Sequence, residues 1–226
     1  RDRETYSAGT SYSKKTKTSI YARLNYNWKS RYYLTVTGRY DGASNFAANN
    51  KWAFFPSAAL KWNISNENFL KDCSWIDDLS LRLSAGRTGN DAISAYRSLA
   101  AMSSTTSGYL FDGMQPGAYY RSRLASPNLT WEKTDLYNAA LDLAFFNNRL
   151  MITAEGYISK TRDLLLTVQT ASATGYTSRY ANIGKTSNKG VELSIESRNI
   201  VRPKFSWTTN LTIAPVSYTH LRAHET

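Results

Sequence analysis

Apolar and polar positions alternate most cleanly over residues 138–158, on both sides of a pair of asparagines. Leu141, Leu143 and Phe145 alternate with Asp142 and Ala144; beyond Asn147 and Asn148, Leu150, Ile152, Ala154 and Ile158 alternate with Met151, Thr153, Glu155 and Tyr157. A period of two belongs to strands. A two-residue turn at Asn147 and Asn148, residue types that tolerate positive φ, predicts the pairs Phe145 with Leu150, Leu143 with Ile152 and Leu141 with Ala154. The apolar faces then coincide, and the carboxylates of Asp142 and Glu155 put the other face against water.

The same alternation recurs along the chain. Residues 18–28 place Ile20, Leu24 and Trp28 opposite Arg23 and Asn25, and residues 32–40 place Leu34 and Val36 opposite Thr35 and Arg39. Only a three-residue loop of Lys29, Ser30 and Arg31 brings Tyr26 against Leu34 and Leu24 against Val36 without mixing faces. Residues 51–62 form a third strand, in which Pro56, lacking an N–H, predicts a bulge. Residues 63–78 connect, with a helical turn starting at Ser65 or Asn66, to a strand over 79–85. The hairpin's first strand begins near Trp131, and residues 191–196 and 205–213 complete eight strands. Between them, residues 41–50, 86–130 and 161–188 read as long polar loops, with 164–168 a possible strand extension.

Two features choose the setting of these strands. Short connections (29–31, 147–148, 199–203) alternate with long ones, with residues 63–78 the one connection out of step, as periplasmic turns alternate with external loops in outer-membrane barrels, and aromatics such as Trp28, Trp52, Trp62, Phe145 and Trp207 crowd the strand ends as interfacial girdles do. A soluble sandwich also alternates and stands as the alternative. Mean hydropathy is −0.48, and no run approaches the ~20 apolar residues of a membrane helix; a membrane strand needs only every second residue apolar. The expectation is an all-β, antiparallel up-and-down transmembrane β-barrel segment, with Leu141, Leu143, Leu150 and Ile152 toward lipid, Asp142, Thr153 and Glu155 toward the lumen, and the asparagine turn at the periplasmic rim.

The residues also carry a resemblance. Tyr40-Asp41-Gly42-Ala43-Ser44 with Phe46, then Trp52-Ala53-Phe54-Phe55-Pro56-Ser57, resembles the RxDGSSRF and WGFFPS signature of SusC-family TonB-linked (TonB-dependent) outer-membrane transporters, and residues 84–90 (SAGRTGN) are similar to that family's SYGxTGN. Pro127-Asn128-Leu129-Thr130-Trp131-Glu132, Phe145-Phe146-Asn147-Asn148-Arg149-Leu150, Thr174-Gly175-Tyr176 and Asn188-Lys189-Gly190-Val191-Glu192 follow in the family's order. The resemblance covers roughly residues 19–214. It implies that the chain is the C-terminal part of a barrel, about eight strands of the ~22-stranded, plugged barrel of such importers. It further implies a multi-pass place in the outer membrane of a Gram-negative bacterium and uptake of glycans, peptides or other nutrients. The implied partners are a SusD-like surface lipoprotein and TonB, which acts through a plug and TonB box outside this sequence; the alternative function is a soluble carbohydrate-binding β-sandwich module. Residues 1–16 read as an extracellular loop remnant and 17–214 as partial barrel. Residues 215–226 break the strand pattern, are similar to translated sequencing-adapter read-through, and are set apart as a non-native tail.

Charge and chemistry change little. A net charge of +11 suits anionic lipid or nucleic acid, but the clearest run, Lys14, Lys15 and Lys17, lacks any nucleic-acid-binding spacing and reads as a solvated loop. Cys73 is the single cysteine, so neither a disulfide framework nor a thiolate cluster is expected. His220 and His224 have the i, i+4 spacing of metal ligands without a third ligand, and residues 86–90 lack the Gly-Lys-Ser/Thr of a phosphate loop. No metal, cofactor or catalytic set is expected, and the chain does not read as an enzyme. The polar face carries Arg23, Arg39, Lys61 and Arg82 with Asp142, Glu155, Glu192 and Glu196, which hold lumen water and the plug or line a substrate path. Tyr109, Phe111, Tyr119 and Tyr120 in the longest loop are the candidate ligand-binding residues, since aromatic rings stack on sugars or meet a lid.

Overall fold

The computed structural model describes residues 10, 12–70, 73–106, 113, 117–176 and 178–221, and among them regular structure is strand plus three short 3₁₀ turns. In chain order the strands are β1 (Lys17–Trp28), β2 (Tyr32–Ala43), β3 (Trp52–Asn63), β4 (Ile76–Asn90), β5 (Ala101–Thr106) and β6 (Gly117–Arg123). They continue as β7 (Glu132–Phe145), β8 (Leu150–Arg162), β9 (Leu165–Gln169), β10 (Ser178–Asn182), β11 (Lys185–Arg202), β12 (Phe205–Ile213) and β13 (Val216–Leu221). Nine of them form one antiparallel sheet in the order β1-β2-β3-β4-β7-β8-β11-β12, with β13 also against β11; β5 with β6 and β9 with β10 make separate two-stranded ribbons. All eight strands expected from alternation lie in the large sheet.

Register shifts only near the turn end, at Ile76/Asp78 and Arg198/Ile200, and over the rest of the sheet it sorts the side chains. Leu24 pairs with Val36, Val36 with Ala58, Ala58 with Ala85, Ala85 with Tyr137 and Tyr137 with Ile158, giving an apolar row. On the opposite face Lys61 pairs with Arg82, Arg82 with Ala140, Ala140 with Glu155 and Glu155 with Glu192. A soluble sandwich would bury the first face beneath a second sheet, yet Leu24 is 64% exposed and Leu211 51%. Burial instead falls on small residues of the polar face, with Ser80 at 0% and Ala140 at 2%. That is the inversion expected of a barrel wall with lipid outside and a polar lumen within; among the described residues no helix is long and apolar enough to cross a membrane.

Several local expectations are corrected. Phe145 pairs with Leu150, Leu143 with Ile152 and Leu141 with Ala154 as predicted, but the turn spans residues 146–149. Phe146, Asn147 and Asn148 all have φ 57°, and Arg149 N–H donates to Phe145 O at 3.0 Å. The three-residue loop at 29–31 stands as expected. Pro56 causes no bulge, because the register with β2 passes smoothly through Gly38 and Pro56, while the ladder to β4 stops at Ser57 with Gly86. A residue without N–H is admissible at that point. The helical turn is 3₁₀ and sits earlier, at Ile64–Asn66. The long polar stretches hold the ribbons β5/β6 and β9/β10: the extension expected over 164–168 is a separate strand, β9, paired with β10, while β5 and β6 are rich in Ser, Thr, Tyr and Arg without apolar alternation. β13 holds one register with β12 against β11, interrupted at Pro215, whose carbonyl still accepts from Val191 N–H at 3.2 Å; residues 216–221 thus continue the strand pattern that the sequence reading ended at 214.

The buried core is small and lies at the long-loop end, where Phe46 (1% exposed), Phe55, Leu129 and Trp131 (0%) converge. Phe46 and Phe55 rings lie 4.9 and 5.4 Å from Trp131, whose indole N–H donates to Lys51 O at 2.9 Å. Burial of each such ring contributes about 2–3 kcal/mol, which fixes the loop bases over the end of β3.

Candidate functional site

Alternation places the chemistry of this chain on its polar face, and cross-strand pairing then brings charges from different strands together. Arg82 on β4 grips Asp142 on β7 through Nε (2.6 Å) and Nη2 (3.1 Å), and Thr153 on β8 donates to the same carboxylate at 3.1 Å. Glu155 accepts a bond from Asn138 and lies 4.0 Å from Arg82. Bidentate geometry makes the Arg82 pair the best formed of these contacts. Toward the long-loop end Arg39 bonds Asp41 at 2.7 Å and Ser19 at 3.2 Å, and Arg23 bonds Thr37 at 3.3 Å. Arg23, Thr37, Arg39 and Asp41 border a hollow of about 820 Å³ with Tyr21 and Ser57.

Each end of the sheet has its own cluster. At the short turns, Glu67 accepts from Trp62 Nε1 (3.2 Å), Tyr32 Oη (3.0 Å) and Arg31 Nη1 (3.0 Å). The Trp62 bond, then those of Tyr32 and the charge of Arg31, hold its carboxyl below the usual range against the opposing effect of burial. At the long loops, Asp91 is raised by burial, but its contacts to Lys15 (2.9 Å) and Lys17 (3.4 Å) outweigh that and leave it lowered. Between the ribbons, Arg97, Arg123 and Arg179 border a polar cavity of about 230 Å³ with Ser122, Thr167 and Ser178. Arg97 lies 5.3 Å from the Tyr180 ring, and Arg123 is anchored by carbonyls of Tyr96 and Leu99. Burial, and then the like charge of Arg97, lower the affinity of Arg123 for its proton.

The expected polar-face residues Arg23, Arg39, Lys61, Arg82, Asp142, Glu155, Glu192 and Glu196 share one face. Tyr119 and Tyr120 are exposed on β6 opposite Ser104 and Ser103, so as consecutive strand residues they face opposite ways. Tyr109, Phe111 and His224 lie outside the described residues. Among the described residues no three His, Cys, Asp or Glu side chains gather as a metal site. Sequence reading missed the Glu67 cluster and the arginine cavity, which assemble from segments far apart in the chain and leave no local spacing.

A family model described as TonB dependent receptor-like, beta-barrel, matches residues 2–226. TonB-dependent receptor P3 of Formosa agariphila is 42% identical over 201 residues, covering 88% of this chain and 20% of its own length. TonB-dependent receptor SusC of Bacteroides thetaiotaomicron is 40% identical over 212 residues, covering 90% of this chain and 21% of its own. The chain therefore spans about a fifth of the length of these curated relatives. Among solved structures, the RagAB peptide importer in its closed-closed state superposes with TM-score 0.82 at 28% identity, over 92% of this chain and 22% of that one. The siderophore receptor PirA from Pseudomonas aeruginosa, at TM-score 0.56 and 15% identity over 90% of this chain and 33% of that one, shares the fold alone. The open sheet with lipid-type and lumen-type faces is what a fraction of such a barrel must look like, and this chain belongs to the TonB-dependent receptor β-barrel family.

Proposed function

We propose that this chain forms part of the wall of a SusC-type importer in the outer membrane of a Gram-negative bacterium, crossing it many times and taking up glycans, peptides or other nutrients. The observation that carries the proposal is the division of one sheet into a bare apolar face and an ion-paired polar face. In this reading the polar face borders the plug and the substrate path, and the ribbons with Tyr119 and Tyr120, together with Tyr109 and Phe111, contact the substrate or a SusD-like lid. TonB drives the cycle from the periplasmic side. RagAB is a peptide importer, which supports the peptide branch, while the SusC relative supports a receptor of that type.

The test is uptake of a labelled peptide and a labelled oligosaccharide by cells whose complete receptor carries this chain. Saturable uptake of one of them that disappears when TonB is removed is the expected result; uptake indifferent to TonB would overturn the proposal. Because Tyr119 and Tyr120 face opposite ways, only one of Tyr119→Ala and Tyr120→Ala is expected to weaken substrate binding, by about fivefold to tenfold if a ring stacked on the substrate is lost.

A further inference from the structure

The apolar face does not stay apolar to its long-loop end. Directly above the row Ala85, Tyr137 and Ile158, the same register places Arg87 against Asp135 and Asp135 against Lys160, and the next row pairs Lys133 with Arg162 and Arg162 with Lys185. Lys189, opposite Ile158, stands at the boundary. Six cations and one carboxylate therefore point outward, away from the lumen, across four neighbouring strands. At that end of β2 and β3, Tyr40, Trp52 and Phe54 expose their rings on the same face, which marks the level of a membrane interface.

The single carboxylate is already used. Asp135 binds Arg87 at 2.6 Å and Arg162 at 2.7 Å, and among the described residues Lys133, Lys160, Lys185 and Lys189 have no ion-pair partner. Arg162 keeps a buried Nε with no hydrogen-bond acceptor. Just below, a groove of about 930 Å³ runs over Leu83, Ala85, Ala139, Gly156 and Ile158, with Tyr137 and Lys189 at its rim. Gly156 has open space where a side chain would stand, so the floor is shallow and smooth.

We infer that this outward face is a binding site for one phosphate-bearing lipid of the outer leaflet, its phosphate among Lys133, Lys160, Arg162 and Lys185 and its acyl chains along the groove. Charge complementarity selects an anion, and continuity of the cationic rows with an apolar groove selects an anion that carries hydrocarbon, as a lipid does. The Arg87, Asp135 and Arg162 ion pairs hold the guanidinium in place, and the four lysines supply uncompensated charge. The inference rests on the outer-membrane placement proposed above.

The test uses the complete receptor carrying this chain, purified in neutral detergent, and measures binding of lipid A in phosphorylated and dephosphorylated forms. Preference for the phosphorylated form is expected, and joint substitution Lys133→Gln, Lys160→Gln and Lys185→Gln should weaken that preference by roughly fivefold per charge removed, while Lys29→Gln at the opposite end changes nothing. Equal binding of the two forms by the unaltered receptor overturns the inference without any variant, so a misfolded triple variant leaves it testable. Complete displacement of the lipid by inorganic phosphate would overturn it too, since a free anion would then be the occupant. A receptor that enters bilayers normally but shows no phosphate preference refutes this site alone, whereas one that does not enter bilayers refutes the outer-membrane reading.

Discussion

Glu67 shows how much a single carboxylate can tie together at the turn end of a sheet: the first strand pair through Arg31 and Tyr32, the end of β3 through Trp62, and its own connection. Its carboxyl is held below the ordinary range in the fold. The stabilisation is therefore fully present above its unfolded pKa of about 4.3 and is lost as pH falls through the lower folded value. The thermal midpoints of the complete receptor and its Glu67→Gln variant should differ by a constant amount from neutral pH down to about 5 and converge below about 4; a gap that persists in stronger acid would contradict the assignment. A second single-residue prediction concerns Gly89, where an added Cβ would overlap the ring of Phe55. Phe55 packs against Trp131 and cannot step aside cheaply, so Gly89→Ala should destabilise by about 1–3 kcal/mol, read from chemical unfolding. Neither residue was legible in the sequence. Glu67 sits in a connection without periodicity, and Gly89 in SAGRTGN suggested a strand exit, because the partners of both are set by folding.

The hairpin β7/β8 is where sequence and structure agree most closely, and the reason is that a slip of one residue would turn every apolar side chain into the lumen. The pairing was legible and the turn was not. A tight loop at Asn147 and Asn148 and the wider loop over residues 146–149 leave Phe145 opposite Leu150 alike, so face matching cannot distinguish them. What differs is that Phe146 joins the asparagines at positive φ, a conformation costing a residue with a Cβ about 1 kcal/mol or more. The faces themselves are testable. Leu143→Arg on the apolar face should cost ~2–4 kcal/mol near the membrane midplane, falling toward zero at the interface. Thr153→Arg, among Asp142 and its partners, should cost far less. Folding of the complete receptor into lipid vesicles under urea measures both, and equal costs would mean that the faces are not what they appear. Of the ribbons, β9 was foreseen in part at 164–168 and packs Leu165, with Tyr180 of β10, against the buried core, whereas β5/β6 escaped the sequence because its polar strands leave no apolar period to read.

At the scale of the molecule, the sheet ends in two free edges, β1 on one side and the β12–β13 strand on the other, with every residue of β1 and β12 exposed. Free edges of this length template further pairing. The chain by itself should therefore associate through its edges even in detergent, as read by size-exclusion chromatography; a stable, monomeric isolated chain in plain buffer would contradict a barrel wall. The barrel class was legible because short and long connections alternate, a property of the whole order of strands. The Arg82, Asp142 and Thr153 rung, seen above as electrostatics, also has a mechanical side. It crosses β4, β7 and β8, so sliding any one of these strands past its neighbour must stretch bonds made by the other two. Load on any one of these strands is thereby spread over all three, and the polar face serves as cross-bracing that holds the wall in shape.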